Sequence, residues 1–316
     1  MKARRCLRGS ANMSRVSSFI QQFGNTGAFV FSLAGKGCLN WMSDELFLKI
    51  VFKNMVGYPL NLKDPSTFNE KLQWLKLHDR KTVYQIYVDK YQVKKYITEQ
   101  IGEEYVIPTI GVWDRTDDID FSKLPDQFVL KCVHGSGCNV ICKDKGSLDI
   151  TDTKQKLDRW MHQSWYWPGR EWPYRDVRPR IIVEPYLEDS SGQLTDYKFF
   201  CFSGKVKCFK IDFDRATEHR ANYYTPGGEL MRFGEIICPP DYDRKIDMPT
   251  SLEKMIAFAE KLSKGIPFVR VDFYEVNGHI LFGELTLFPA SGFGRFTDTA
   301  WDHRLGEWLV LPEGEK

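Results

Sequence analysis

Apolar and polar residues alternate through "FVRVDFYEVNGHILFGELT", residues 268–286. Val269, Val271 and Phe273 share one parity, and Arg270 and Asp272 the other. Beyond Asn277-Gly278, Ile280 and Phe282 share their parity with Glu284 and Thr286. Period-two alternation around Asn-Gly predicts a β-hairpin, with acids on a face that usually packs. Side chains switch face at every residue, so the turn decides which of these groups meet. A two-residue turn would pair Val276 with His279 and Asp272 with Gly283, leaving Asp272 and Glu284 on opposite faces. A three-residue connection, Val276–Gly278, would pair Glu275 with His279, set Arg270 against Glu284 and gather the polar groups on one face. The expectation is a connection of odd length.

Helical spacing appears upstream. Thr67 and Glu70 form a T-x-x-E capping box ahead of Phe68, Leu72 and Leu75. A second helix is expected from Asp89 to Gly102 and a third over about 152–163. A fourth, at 251–264, would be capped by Thr250 and Glu253, lined by Leu252, Ile256, Ala259 and Leu262, and ended by Gly265. "YVIPTIGVW", "DQFVLKCV", "NVICK" and "RIIVEPYLE" read as strands, and "DYKFFCFSGKVKCFKIDFD" as a hairpin turning at Ser203-Gly204. "SWYWPGREWPYRDVRPR" is aromatic, basic and broken by proline, and is expected to be an exposed loop. The first 45 or so residues show little periodicity and read as an extension. The whole is a mixed α+β chain.

At 316 residues, 42% of them apolar, the chain can bury the core of a two-domain protein or of one enzyme built of subdomains. A formal charge of +2 gives no nucleic-acid footprint. The eight cysteines include no CxxC pair, so they read as reduced, small hydrophobes. A zinc site at Cys132, Cys138 and Cys142 would lack the usual close pair. No apolar run is long enough for a membrane helix. "MKARRCLRG" and the later "GAFVFSLAG" are spaced too loosely for a signal peptide. The expected location is the cytoplasm, with a basic start available to touch a membrane surface.

Two carboxylates close together call for a cation between them, and oxygen donors suit Mg²⁺ completed by water and phosphate. An adjacent arginine can hold a phosphate or a developing oxyanion. The alternative is an ordinary cross-strand Arg270–Glu284 pair on a solvated face. In "FVLKCVHGSGCNVICK", Lys131 leaves a strand, and Gly135, Ser136 and Gly137 can aim backbone N–H groups at phosphate; the competing reading is a plain glycine turn. "RIIVEPYLED" can serve as an adenine-reading hinge or simply as an edge strand.

Taken in order, "VDK" (88–90), "FVLK" with "HGSG", "VEPYL", "DYKFFCFSGK" and "RVDFYEVNG…FGELTLFPASG" resemble the ATP-grasp superfamily. Arg270, Asp272, Gly278, Glu284, Pro289 and Gly292 match its last motif, with Thr286 where asparagine is commoner. "TFNEKLQWLKLHD", "GREWPY" and "PFVRVDFYEVNGHILFGELT" look like the TupA-like branch, found with bacterial surface-polysaccharide genes. The resemblance covers about residues 55–312. It implies two α+β subdomains gripping ATP beneath a glycine-loop lid, behind an N-terminal helical extension. The implied divisions are an extension at 1–50, a lead segment at 51–105, a lid subdomain at 106–186 and a metal-bearing catalytic subdomain at 187–316.

The same resemblance implies that Lys90, Lys131, Gly135, Ser136 and Gly137 bind the nucleotide, and His134, bordering the glycine loop, is a further candidate for touching phosphate. Glu184, Tyr186 and Leu187 would form the adenine hinge, and Asp196 would lie near the ribose or the substrate. Asp272, Glu284 and Thr286 would hold Mg²⁺. Arg270, Lys198 and Arg215 would serve the chemistry: phosphorylation of a carboxylate, then attack by an amine on the acyl phosphate. The expected partners are an acidic sugar or polysaccharide precursor and an amino acid or other amine. Trp167, Trp172, Arg170, Arg215 and Arg220 are candidates for holding the acidic sugar; structural packing is the plainer reading of the aromatic ones. A sugar kinase, a metal-dependent glycosyltransferase and a non-catalytic glycan-binding subunit are the competing functions.

Overall fold

The computed structural model describes residues 29–189, 194–215 and 217–313. Sequence expectations for residues 1–28, including the basic start, lie outside the described residues. Numbered in chain order, the helices are α1 (Asp44–Met55), α2 (Phe68–His78), α3 (Val83–Val88), α4 (Gln92–Ile101), α5 (Ile150–Met161), α6 (Leu252–Leu262) and α7 (Ala300–Trp308). The strands are β1 (Gly111–Trp113), β2 (Phe128–Cys132), β3 (Asn139–Cys142), β4 (Ile181–Pro185), β5 (Asp196–Phe202), β6 (Lys205–Phe213), β7 (Arg220–Tyr224), β8 (Leu230–Met231), β9 (Phe268–Val276) and β10 (His279–Thr286). They form two antiparallel sheets, a small one in the order β1-β4-β2-β3 and a large one in the order β10-β9-β5-β6-β7-β8.

Alternation makes the large sheet two-faced. Phe199, Phe209, Ile211, Val271 and Phe273 are buried on one face, where Met255, Ala259 and Leu262 of α6 are buried with them. Each of these side chains larger than alanine contributes about 1.5–3 kcal/mol on burial. The opposite face carries Arg270 and Asp272 on β9 and Asp196 and Lys198 on β5. One end of this face is covered by α2, whose Phe68 ring packs on Phe202 and Phe268. The other end opens toward the small sheet.

The Thr67–Glu70 capping box is formed, each side chain bonding the other's backbone N–H. At α6 the expected Thr250–Glu253 cap is absent. The β9 residue Glu275 instead accepts from the Thr250 hydroxyl (2.7 Å) and from the amides of Thr250 and Ser251 (3.2 and 3.1 Å), so the Thr250 hydroxyl is taken. The 164–178 stretch is not an exposed loop. It folds into a helical turn and a 3₁₀ turn, with Tyr166 and Trp172 buried and Arg170 only 1% exposed. The Arg170 guanidinium lies 4.5 Å from the Phe47 and Trp167 rings and donates to the Leu39 carbonyl (2.8 Å). Large aromatic area favours burial, and the arginine goes in with it between two rings, its Nη2 bonded to the Leu39 and Met42 carbonyls and its Nε 3.6 Å from Asp44.

Candidate active site

The hairpin builds its site by a different route from the one its sequence suggests. Val276 pairs with His279 across a two-residue turn, and Asn277 and Gly278 both have positive φ (52° and 77°), the type I′ signature. The register then slips at Gly283, between Phe282↔Phe273 and Glu284↔Asp272. This β-bulge supplies the odd residue expected of the turn and returns Glu284 and Thr286 to the face of Asp272 and Arg270. A Cβ at Gly283 would lie 3.1 Å from the Asp272 carbonyl oxygen and 3.2 Å from the Tyr274 ring, so close approach of the strands favours glycine there.

Arg270 ties the cluster together. Its Nε and Nη2 donate to the two oxygens of Asp272 (2.7 and 2.6 Å), and Nη2 also reaches Glu284 Oε1 (2.8 Å) and Thr286 Oγ1 (3.1 Å). Thr286 donates in turn to Glu284 (2.9 Å). Burial works against a charged Glu284, but Arg270, Lys90 and Lys198 hold its pKa down at about 2. Behind it, the buried Lys198 ammonium donates to Asp272 (2.8 Å) and to Asp196, which also accepts from Arg215 (2.9 Å). Asp196, Asp272 and Asp212 raise the Lys198 pKa despite burial. Glu284, Arg270, Asp272, Lys198 and Asp196 thus form one continuous hydrogen-bonded row of alternating charge.

Between the sheets is a cleft that opens to solvent. Lys90, Lys94, Lys131, Glu184, Tyr274, Gly283 and Glu284 are among its lining residues. Lys94 and Lys131 each lie 2.5 Å from a Glu184 oxygen, and Lys94 also donates to Thr109 (2.7 Å) and the Ile107 carbonyl (2.8 Å). The two lysines hold the Glu184 carboxylate below its ordinary range although burial opposes this. The Lys90 ammonium donates to the Gly135 carbonyl and so anchors the glycine loop. Ser136 and Gly137 are exposed, whereas Gly135 packs against Trp165, whose indole nitrogen a Cβ would meet at 2.1 Å.

The donor set fits a hard cation completed from outside. Among the described residues no group of three or more His, Cys, Asp or Glu side chains is arranged to hold a metal ion. Asp272, Glu284 and Thr286 offer two carboxylates and a hydroxyl, a partial oxygen set of the kind that suits Mg²⁺ sharing water and phosphate. The seven described cysteines are all free, six of them buried.

Other expected site residues lie apart. His134 is buried, with Nε2 3.2 Å from the Trp160 carbonyl, and does not line the cleft. Tyr186 and Leu187 are half-buried just beyond β4, and the Tyr186 ring faces the Lys143 ammonium at 5.1 Å. Arg220 pairs with Glu218 (2.5 Å). Arg170 and Trp172 are core residues, and Trp167 is stacked on Arg170, because the segment carrying them is packed in place. Lys94 and Tyr274 were missed by the sequence reading, although both had a signal. Lys94 is four residues from Lys90, on one face of the helix expected from Asp89, although the helix itself begins at Gln92, and Tyr274 continues the Arg270–Asp272 parity. Glu171 also belongs beside the site: it accepts from the Ser291 hydroxyl, while the buried Lys76 donates to the Ser291 and Gly169 carbonyls (2.7 Å each). No local pattern announces that contact, which joins three distant segments.

Among solved structures the chain is similar to D-alanine–D-alanine ligase from Bacillus anthracis (16% identity, TM-score 0.37, covering 64% of this chain and 57% of that one). It is also similar to D-alanine–D-alanine ligase from Helicobacter pylori (12%, 0.42, 78% and 70%) and to N5-carboxyaminoimidazole ribonucleotide synthetase from Thermus thermophilus (12%, 0.38, 69% and 51%). The chain therefore spans less than two thirds of the length of the Bacillus ligase. No curated protein matches. The TupA-like ATP-grasp family model matches residues 70–310, and the chain belongs to that family.

Proposed function

We propose that this protein is an ATP- and Mg²⁺-dependent carboxylate–amine ligase acting on an acidic saccharide. The observation that carries the reading is the convergence of Lys90, Lys94 and Lys131 on one cleft that ends at Glu284 and, behind it, Asp272. A triphosphate matches that run of ammonium groups in charge and in position. Lys131 and Lys90 bind phosphate oxygens, with the Gly135–Gly137 backbone as a lid over them. Lys94 releases or shares Glu184 when the nucleotide enters, and the backbone beyond β4, at Tyr186 and Leu187, meets the adenine. Asp272, Glu284 and Thr286 would hold Mg²⁺, which when bound would neutralise charge on the phosphates.

A substrate carboxylate oxygen attacks the γ-phosphorus of ATP, the bond to the bridging oxygen breaks, and ADP leaves an acyl phosphate. The amine nitrogen then attacks the acyl carbon, the C–O bond to phosphate breaks, and an amide, phosphate and a proton result. Arg270 faces the charge that develops in both steps. Lys198 holds Asp272 and Asp196 from below, and acts by keeping that row in register. Arg215, half exposed and paired with Asp196, is the group best placed to meet an acidic acceptor. The substrate class, a uronic-acid-bearing surface polysaccharide or its precursor joined to an amino acid, follows the family's genomic company, and the cytoplasm is the compartment that supplies ATP. Release of ADP and phosphate measured across a panel of uronic acids and amino acids tests this reading. Turnover is expected only when acid and amine are both present. ADP formed with a stable phosphosugar, or UDP released from a UDP-sugar, would overturn it.

A further inference from the structure

The N-terminal part of the molecule has a chemical character unlike the rest. Residues 1–53 contain eight basic residues and two acidic ones, a formal +6; residues 54–316 contain 36 basic and 40 acidic, a formal −4. Of the two acids, Asp44 is turned inward, bonded by Arg80 (2.7 Å) and Tyr166 (2.5 Å). Glu45 is paired with Lys49 (2.6 Å).

The same part exposes large apolar side chains. Trp41 is 76% exposed, Phe29 63%, Leu46 47% and Ile50 38%. Helix α1 explains why two of these cannot be core residues. Phe47, Leu48, Val51, Phe52 and Met55 fill its inner face. Leu46, Lys49, Ile50 and Lys53 recur at spacings of three and four and therefore form a single stripe on the outer face. An outward stripe mixing leucine, isoleucine and lysine, next to an exposed tryptophan, is the composition of a surface that lies in a lipid headgroup layer. Apolar side chains enter the acyl boundary, lysine stems extend their ammonium groups to the phosphates, and an indole ring favours the interface. Trp41 donates its N–H to its own chain, at the Cys38 carbonyl (3.1 Å), which leaves the ring free to insert.

We infer that residues 29–53 form a docking surface for an anionic lipid bilayer. Charge selects this occupant over a second copy of the chain. Lys36, Lys49 and Lys53 are exposed there against one exposed acid, Glu45; a two-fold interface would set these lysines against their own copies, whereas an anionic leaflet attracts them. The inference does not depend on the reaction proposed above.

Co-sedimentation of the full chain with vesicles tests it. The protein is expected to bind phosphatidylglycerol–phosphatidylcholine vesicles, to ignore phosphatidylcholine alone, and to be released by added salt. A Trp41→Ser/Leu46→Ser/Ile50→Ser variant should bind at least about tenfold more weakly while keeping the wild-type melting temperature. Lys49→Glu/Lys53→Glu should do the same, because it changes charge alone. Equal binding to both vesicle types would overturn the inference, as would wild-type binding by the triple variant. So would a wild-type dimer in light scattering that the triple variant dissolves.

Discussion

Arg270 donates to three neighbours, and this explains why its cluster can hold the buried Asp272 and the half-exposed Glu284 side by side. Asp272→Asn and Glu284→Gln preserve shape and remove one charge each. Both variants should fold with near-wild-type circular dichroism and lose Mg²⁺-dependent ADP formation by at least about a hundredfold. Full activity in either would remove that residue from the metal set. Arg170 provides the contrast. It is enclosed among Phe47, Trp167 and backbone carbonyls, so Arg170→Ala opens a cavity between two rings and leaves the Leu39 and Met42 carbonyls without their donor, while Asp44 keeps Arg80. A loss of about 3 kcal/mol in urea unfolding, with nucleotide affinity unchanged, is the expected result. An unchanged stability with a weakened acceptor KM would restore the substrate role that its sequence context suggested.

At the scale of elements, the hairpin shows how a correct requirement can be met by an unforeseen device. The parity of Asp272 and Glu284 demands one unpaired residue between them, and Asn277-Gly278 demands a two-residue turn. Both demands hold, and the extra residue is Gly283. Gly283→Val should therefore disturb the site more than the fold, because its branched side chain would press on the Asp272 carbonyl and the Tyr274 ring. Deleting Gly283 should be milder: Phe282 and Glu284 then oppose Phe273 and Asp272 in an unbroken ladder. Calorimetric titration with Mg·ATP separates these outcomes, and tighter binding by the valine variant than by the deletion would contradict the bulge's role.

Elements with strong local patterns, such as the Thr67–Glu70 box and the Ser203-Gly204 turn (φ 48° and 81°), were legible from the sequence. The Glu275 cap of α6 and the Lys76–Ser291–Glu171 contact were not, because each depends on residues far apart in the chain. The 164–178 segment misled for a related reason. Its charges and prolines read as exposed, but a buried arginine is tolerated wherever the fold brings acceptors to it.

For the whole molecule, the charged face of the large sheet carries a second network, next to the candidate site, that bears on stability. Asp212 and Glu235 are tied to Lys210 (3.6 and 2.8 Å). Burial would raise both acids, yet Lys210, with His219 beside Asp212 and Tyr223 beside Glu235, keeps both below the ordinary carboxylate range. A folded-state pKa below the unfolded one gives stability that is complete above about pH 4.5 and is lost as pH falls below it. The melting temperature should thus be level from about pH 7 to 5 and fall steeply beneath, and Asp212→Asn should start lower and fall less. A wild-type profile without that acid limb would mean that the network carries no net stability.

The central claim, that ATP activates a carboxylate for attack by an amine, predicts where an oxygen atom goes. If a uronic acid labelled with ¹⁸O in its carboxyl group is turned over with ATP and an amino acid, one labelled oxygen should leave with the phosphate. It would be read as an isotope shift in the ³¹P spectrum. Turnover that gives unlabelled phosphate would contradict the acyl-phosphate route and, with it, the assignment of this site as a carboxylate–amine ligase.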